Sequence, residues 1–336
     1  MKPEIEIFGP RPMRFNIDSL SVTQEEGMHD MFTSYLARPG AVDAEDLKGQ
    51  PCQVTWGTGF STTTLVGYVD TTSRIVGEQS GLVIIALGAT STMRSGEARS
   101  WRRASPFRIA RNVVHPYRMS LVADKYIATV DAFMQTDDSD WACLARLAGL
   151  SGMSLVGRNT SVMLIDVRKA IGRAKMRPVP VFREPESFVQ METPSPVGFD
   201  TFDFSGIDRL GSKFAVRGGP EGGVQRHASQ NFSSLDEARM ASVKHGDRQR
   251  HHIRAVATFH GQLNMQVGDV CVVEGQHWYV AKCQHEVRIG TSQTTVTAEL
   301  HRAVEGRPAT ADIALNPASV LRGGKWIAER NYEVEL

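Results

Sequence analysis

The chain has 336 residues, and its 38 basic and 37 acidic side chains leave a formal net charge of +1. That is too little for a whole-chain field that would draw it to nucleic acid or a membrane surface. With 41% hydrophobic and 22% charged residues it reads as an ordinary globular protein, long enough for two or three cores.

The first ~130 residues predict β-structure. Ile5 and Ile7 alternate with Glu4 and Glu6, and Val54-Thr55-Trp56 runs into a Gly57-Thr58-Gly59 turn. The Thr-, Val- and Tyr-rich stretch 62–69 and the apolar run 82–87 read as two further strands, with Pro39-Gly40 and Lys48-Gly49-Gln50-Pro51 as turns. Near Trp101 the texture changes. Ser105-Pro106 predicts a helix start, with proline at the first helical position. Ser139 precedes Trp141, Leu144, Ala145 and Ala148, apolar positions on one helical face that Gly149 or Gly152 would end. Ser154-Leu155-Val156 and Val162-Met163-Leu164-Ile165 predict a hairpin around Gly157-Arg158-Asn159.

Five prolines between 178 and 200 exclude a helix or a central strand there, and 218–223 reads as a glycine-rich loop. Ser234-Leu235-Asp236-Glu237 is a capping-box pattern predicting a helix to about Lys244. Alternating strands follow near 253–259, 270–273, 278–282 and 293–300. An internal echo is present: Leu47-Lys48-Gly49-Gln50 precedes Val54 at the offset at which Leu263-Asn264-Met265-Gln266 precedes Val270. It predicts two related β-units in one chain.

Chemistry is sparse. There is no Gly-x-Ser-x-Gly and no Walker-type phosphate loop. No cofactor is expected. His251, His252, His260, His277 and His285 lie near Cys271 and Cys283. Adjacent histidines on a strand point to opposite faces, and a Gly275-Gln276 turn would set Cys271 against Val280, out of register with Cys283. Surface histidines are the better reading than a metal site. The cluster Asp137-Asp138-Ser139-Asp140 sits where a helix start welcomes carboxylates, so nothing marks a general acid of a glycosidase. Arg94, Arg99, Arg102, Arg103, Arg108, Arg111 and Arg118 share their neighbourhood with one acid, Glu97. Arginine without lysine favours a protein interface over DNA, with Arg99, Arg102, Arg103, Arg108 and Arg111 as its candidates. Four scattered cysteines, Cys52, Cys143, Cys271 and Cys283, contain no Cys-x-x-Cys pair and read as free thiols. No stretch approaches the ~20 apolar residues of a membrane span, and Met1-Lys2-Pro3-Glu4-Ile5 does not read as a signal peptide. A product made and kept in the cytoplasm is therefore expected, unless it leaves as part of a particle.

The segment Ser139-Asp140-Trp141-Ala142-Cys143-Leu144-Ala145-Arg146-Leu147-Ala148-Gly149 resembles one in phage late control protein D, the hub half of VgrG proteins and related baseplate hub proteins. Asp140, Trp141, Leu144 and Leu147 carry that likeness, and a small hairpin follows it in the family as here. Leu65-Val66-Gly67-Tyr68-Val69-Asp70, with Gly67 and Tyr68, is similar to the family's tube-barrel strand. Val267-Gly268-Asp269-Val270 and the strand from Trp278 to His285 are similar to its second barrel, through Gly268, Asp269 and Trp278.

The resemblance implies a mainly β fold with α+β insertions and two tube-type β-barrel domains. They would be 1–100 and 233–304, around an α+β insert at 101–177, with a Pro/Gly-rich linker and loop region at 178–232 and a docking arm at 305–336. It implies a non-enzymatic tail hub: a homotrimeric ring with a central bore, joining a sixfold tail tube protein to a threefold spike or tail-tip protein in the virion. Tape-measure protein and passing DNA would be its transient contents. A tail-associated cell-wall hydrolase or peptidase, and a nucleic-acid-binding β-domain protein, are the alternatives.

Overall fold

The computed structural model describes residues 3–40, 42–57, 62–76, 80–124, 130–182, 188–191, 195–196, 200–207, 213–218, 224–232, 252–260, 264–288, 295–303, 319–322 and 325–328. The fold is mainly β, with a helical insertion between two groups of strands.

The first group comprises β1 (Glu4–Ile7), β2 (Met13–Asn16), β3 (Ser19–Glu25), β4 (Met31–Leu36), β5 (Pro51–Trp56), β6 (Thr63–Ile75) and β7 (Gly81–Gly88). Inward residues alternate along most of these strands, as in β3, where Leu20, Val22 and Gln24 are buried. Ile5, Ile7, Phe32, Leu36, Val54, Trp56, Leu65, Leu82 and Ile84 build this core. In the insertion, β8 (Arg99–Ala104) pairs with β10 (Val130–Gln135), while β9 (Ser120–Ala123) runs parallel to β12 (Ser161–Ile165) of the β11 (Ser154–Arg158)–β12 hairpin. Helices α1 (Pro106–Val114) and α2 (Asp140–Leu150) pack on these strands, and α3 (Val167–Ala174) follows.

Local sequence explains these helices. Ser105 caps α1, with Pro106 in its first turn, and Ser139 caps α2 by accepting from the Ala142 amide. Gly149 lies inside α2. Helix α2 ends at Gly152 (φ 62°): the Met153 amide donates to the Ala148 carbonyl and the Gly152 amide to that of Gly149. That is a Schellman closure.

The second group comprises β13 (Val181–Phe182), β14 (Phe188–Met191), β15 (Ser195–Pro196), β19 (His252–His260), β20 (Val270–Val273), β21 (Gln276–Arg288) and β22 (Thr295–Ala303). Strands β16 (Asp200–Ile207), β17 (Lys213–Gly218), β18 (Val224–Phe232), β23 (Ser319–Arg322) and β24 (Lys325–Ala328) form a separate five-stranded sheet. The expectation of linker and loop over 178–232, with a lone arm after 305, therefore gives way. The prolines do confine β13–β15 to short pairings, but beyond them the described residues 200–207, 213–218 and 224–232 are strands, and part of the presumed arm returns to pair with β17. The helix predicted at 234–244 and most of the glycine-rich loop lie outside the described residues.

Both groups belong to one 14-stranded sheet, whose main path runs β14-β19-β22-β21-β3-β4-β7-β6-β5-β1-β2. The two expected β-units are both present and share this one sheet, and barrel closure is not detected among the described residues. The groups meet where β3 pairs antiparallel with β21, Ser19 opposite Arg288 through Glu25 opposite Lys282.

Candidate assembly site: the joint between two β-units

The two units repeat each other at a glycine turn, a Tyr-Val pair and a bulge, in a register different from the echo read in the sequence. Gly49 (φ 73°) donates to the Val69 carbonyl and the Val69 amide to Gln50. Gly268 (φ 89°) donates to the Val280 carbonyl and the Val280 amide to Asp269. Gly49-Gln50 thus matches Gly268-Asp269, not Met265-Gln266, and Cys52 matches Cys271. Tyr68 lies opposite Pro51 and Tyr279 opposite Val270, so Tyr68-Val69 matches Tyr279-Val280. After each Tyr-Val comes a β-bulge: Asp70 is skipped between β6 and β7, and Ala281 between β21 and β22. Both return strands have 13 residues, and β7 pairs with β4 as β22 pairs with β19. The sequence comparison slipped because the shared signal is backbone geometry, which only the glycines and the Tyr-Val pair betray.

The β20–β21 turn also differs from expectation. Glu274 (φ 51°) and Gly275 (φ 75°) form it, not Gly275-Gln276, and Cys271 faces Trp278. Two successive left-handed residues match the twist of a tight hairpin.

Beyond the β3–β21 pairing, the α+β insertion clamps the joint. At the tip of the β11–β12 hairpin, Asn159 (φ 52°) accepts from the Val66 amide (3.1 Å) and donates to the Thr64 carbonyl (3.3 Å). Its side-chain amide therefore continues along β6 the lane that β7 leaves at Gly88. The preceding Arg158 donates to the Val267 carbonyl (2.7 Å) and to Asp269 (2.8 Å), and so holds the second unit's turn. Asp269 also caps the Gln266 amide (2.9 Å). Gly268 leaves little room: a Cβ there would lie 3.0 Å from Ile165. Thr63 links the units directly by donating to Asn264 (2.9 Å).

The helix motif docks the insertion on the first unit. Trp141 is buried and donates through Nε1 to the Gly27 carbonyl (2.7 Å) in the β3–β4 turn, with the His29 ring centred 4.8 Å away. Leu144 and Leu147 are fully buried beneath it. Asp140 does more than favour a helix dipole. It is fully buried and takes both oxygens to Arg99 (3.1 Å each), with Gln135 (2.6 Å) and Tyr117 (2.9 Å) completing the set. Arg99 is therefore spent inside the fold, and its place among the interface candidates is corrected. Arg102, Arg103, Arg108 and Arg111 are exposed, and Arg103 (φ 47°) sits in the left-handed region just before α1.

The remaining motif residues lie along the strands of the two units. Gly67 pairs with Cys52 on one side and Gly88 on the other, and a Cβ there would lie 2.1 Å from the Leu87 carbonyl oxygen, so only glycine fits. Trp278 is buried in the second core, whereas Tyr68 is 37% exposed. Its counterpart Tyr279 is fully buried, on the strand that α3 packs against.

Against the joint lies a buried polar cluster, of which the sequence singled out Cys283 and His285 but not Gln24 and Asp30. Gln24, opposite Cys283 across the β3–β21 pairing, donates to Asp30 (3.0 Å) and accepts from the Cys283 thiol (3.5 Å). His285, expected at the surface, is fully buried: its Nε2 is 2.7 Å from the Met265 carbonyl, its ring stands edge-on to Trp56, and its Nδ1 has no partner. Burial pushes the Asp30 carboxyl up to about 7, against a smaller opposite pull from Gln24, and pushes the His285 imidazole down to about 4. All four cysteines are unpaired and buried, and among the described residues no group of three His, Cys, Asp or Glu could hold a metal ion. No helix among the described residues is long and apolar enough to cross a membrane.

No family model and no curated protein sequence matches the chain. Solved structures do. A tail protein from Neisseria meningitidis MC58 superposes over 90% of this chain and 97% of its own, at a TM-score of 0.67 and 11% identity. The 43 kDa tail protein of prophage MuSo2 from Shewanella oneidensis does so over 90% and 98%, at 0.64 and 13%. The E. coli c3393 protein, a component of the type VI secretion system, matches over 90% and 79%, at 0.59 and 11%. This chain has the fold of phage tail proteins and of a type VI secretion component, the group its helix motif and strand motifs resemble.

Proposed function

We propose that the chain is a structural hub of a phage-type tail or baseplate, three copies of which close into a ring of six similar β-units around a bore. The observation that carries this reading is an inequality between the two repeats. Along β21, residues 282–288 pair with β3 on the edge away from β22. The matching edge of β6, from Thr71 to Ile75, takes no backbone partner among the described residues, and Ile75 and Val76 beyond it are exposed (40% and 87%). An unpaired edge is an aggregation hazard unless a neighbour covers it.

Inside the chain the partner of β21 is β3. Its counterpart in the second unit is β14–β15, which pairs with β19 as β3 pairs with β4. Repeating the in-chain contact between copies lays β14–β15 of one chain on β6 of the next. Each chain then offers one donor strand and one acceptor edge, a head-to-tail contact that closes when the rotation divides a circle. Three chains with two units each present six faces to a tube and three to a spike, so one protein serves both symmetries. A permanent ring of this kind buries on the order of 2,000 Å² or more at each interface.

In this reading the insertion fixes the angle between the units, and the exposed Arg102, Arg103, Arg108 and Arg111 meet an acidic surface of a neighbouring tail component. The function lies in interfaces, with no catalytic step, and the place of action is the virion tail. Averaged electron micrographs of the purified chain test it. A ring with threefold symmetry and six lobes about a hole is expected; compact single-chain particles at every concentration would overturn it.

A further inference from the structure

We propose that the joint between the two β-units is proton-responsive, with Asp30 carried as a neutral acid and its ionisation loosening the β3–β21 pairing. The geometry comes first. Asp30 closes the β3–β4 turn with a side chain 6% exposed, and the hydrogen bond to its carboxyl oxygens comes from a neutral amide, that of Gln24. Gln24 is itself 1% exposed and stands opposite Cys283, so the Asp30–Gln24–Cys283 chain crosses the joint from one unit to the other.

The charged and titratable groups around it offer little compensation. Burial raises the Asp30 carboxyl by more than Arg158, on β11, draws it down, and the hydrogen bonds of Arg158 go to Asp269 and the Val267 carbonyl. On β21, Cys283 and His285 are buried and uncharged at neutral pH. Next in the chain, the imidazole of His29 is held well below its ordinary range by burial and by Arg94. A carboxylate formed in this place lacks a cation in contact. Its cheapest relief is water, which reaches Asp30 when Gln24 parts from Cys283.

The sign follows from linkage. The Asp30 carboxyl titrates at about 7 in the fold against an ordinary 3.8, so the folded joint binds a proton that the opened one releases. Its stability falls as pH rises from about 4 to about 7, with the change continuing over the unit above. His285 acts oppositely, costing stability as pH falls from 6.5 toward 4. The two overlap: between pH 6 and 8 Asp30 alone would cost the joint about tenfold and His285 would return about fourfold, leaving a net fall of about two- to threefold.

Amide hydrogen exchange of the intact chain, corrected for the intrinsic pH dependence of exchange, reads this strand by strand. Protection of β3 and β21 amides is expected to fall about two- to threefold between pH 6 and 8, while β6 and β7 hold theirs. In Asp30→Asn the fall should give way to a rise of about fourfold, the His285 contribution alone. Unchanged protection of β3 and β21 in the wild-type chain would overturn the proposal by itself, whether or not the variant folds. So would an equal loss across β6 and β7, which would mean global unfolding, or a fall that persists in the variant. This inference does not depend on ring formation, and its failure would leave the tail reading intact.

Discussion

At the scale of single residues, the motif that looked like a helix signature is a docking device. Trp141 joins the insertion to the first unit through one hydrogen bond to Gly27 and a ring against His29. Trp141→Phe keeps most of the buried area but leaves the Gly27 carbonyl unpaired, and should cost about 1–3 kcal/mol in urea unfolding. Asp140→Ala strips the carboxylate from Arg99, whose side chain is 20% exposed, and should cost about 3–5 kcal/mol or prevent folding. A cost under about 1 kcal/mol in that titration would contradict the network drawn around Asp140. The sequence displayed Trp141 and Asp140 as positions but not as partnerships. Gly27, Arg99, Tyr117 and Gln135 lie 5 to 114 residues away from them, and only the tertiary fold brings them together.

At the scale of elements, local rules worked where local interactions decide the outcome. Ser105-Pro106 and Ser139 start helices because a hydroxyl and a fixed φ act within one turn. Strands β16–β18 escaped because sheet pairing is non-local: β16 lies beside β17 and β18, and β17 takes a strand from the far C-terminal region. The hairpin tip was visible as Gly157-Arg158-Asn159, yet its turn falls one residue later, at Asn159-Thr160. Its role as a clamp was invisible, because Asn159 acts on β6, some 95 residues away. Substitutions separate its two tasks. Asn159→Gly keeps the left-handed turn and loses both hydrogen bonds to β6, whereas Asn159→Ala loses the bonds and strains the turn. Thermal unfolding should rank wild type above Gly and Gly above Ala, with Ala lower by about 2 kcal/mol or more. Equal stability of all three would remove the clamp.

At the scale of the whole molecule, the account rests on two look-alike units, one with its outer edge covered inside the chain and one without. The sequence carried this as a faint echo in the wrong register. What repeats is a glycine with positive φ, a Tyr-Val pair and a bulge, and these are features of backbone path more than of side-chain identity. If β6 is the acceptor edge, a charge placed there should block assembly without harming the monomer. Ile75, 40% exposed, belongs to no core cluster, so Ile75→Lys should fold as the wild type does by circular dichroism and yet fail to oligomerise. The most direct measurement is the mass of the purified wild-type chain by sedimentation equilibrium. The account predicts a species of three times the 37.0 kDa of one chain; a single 37.0 kDa species persisting at tens of micromolar would contradict it.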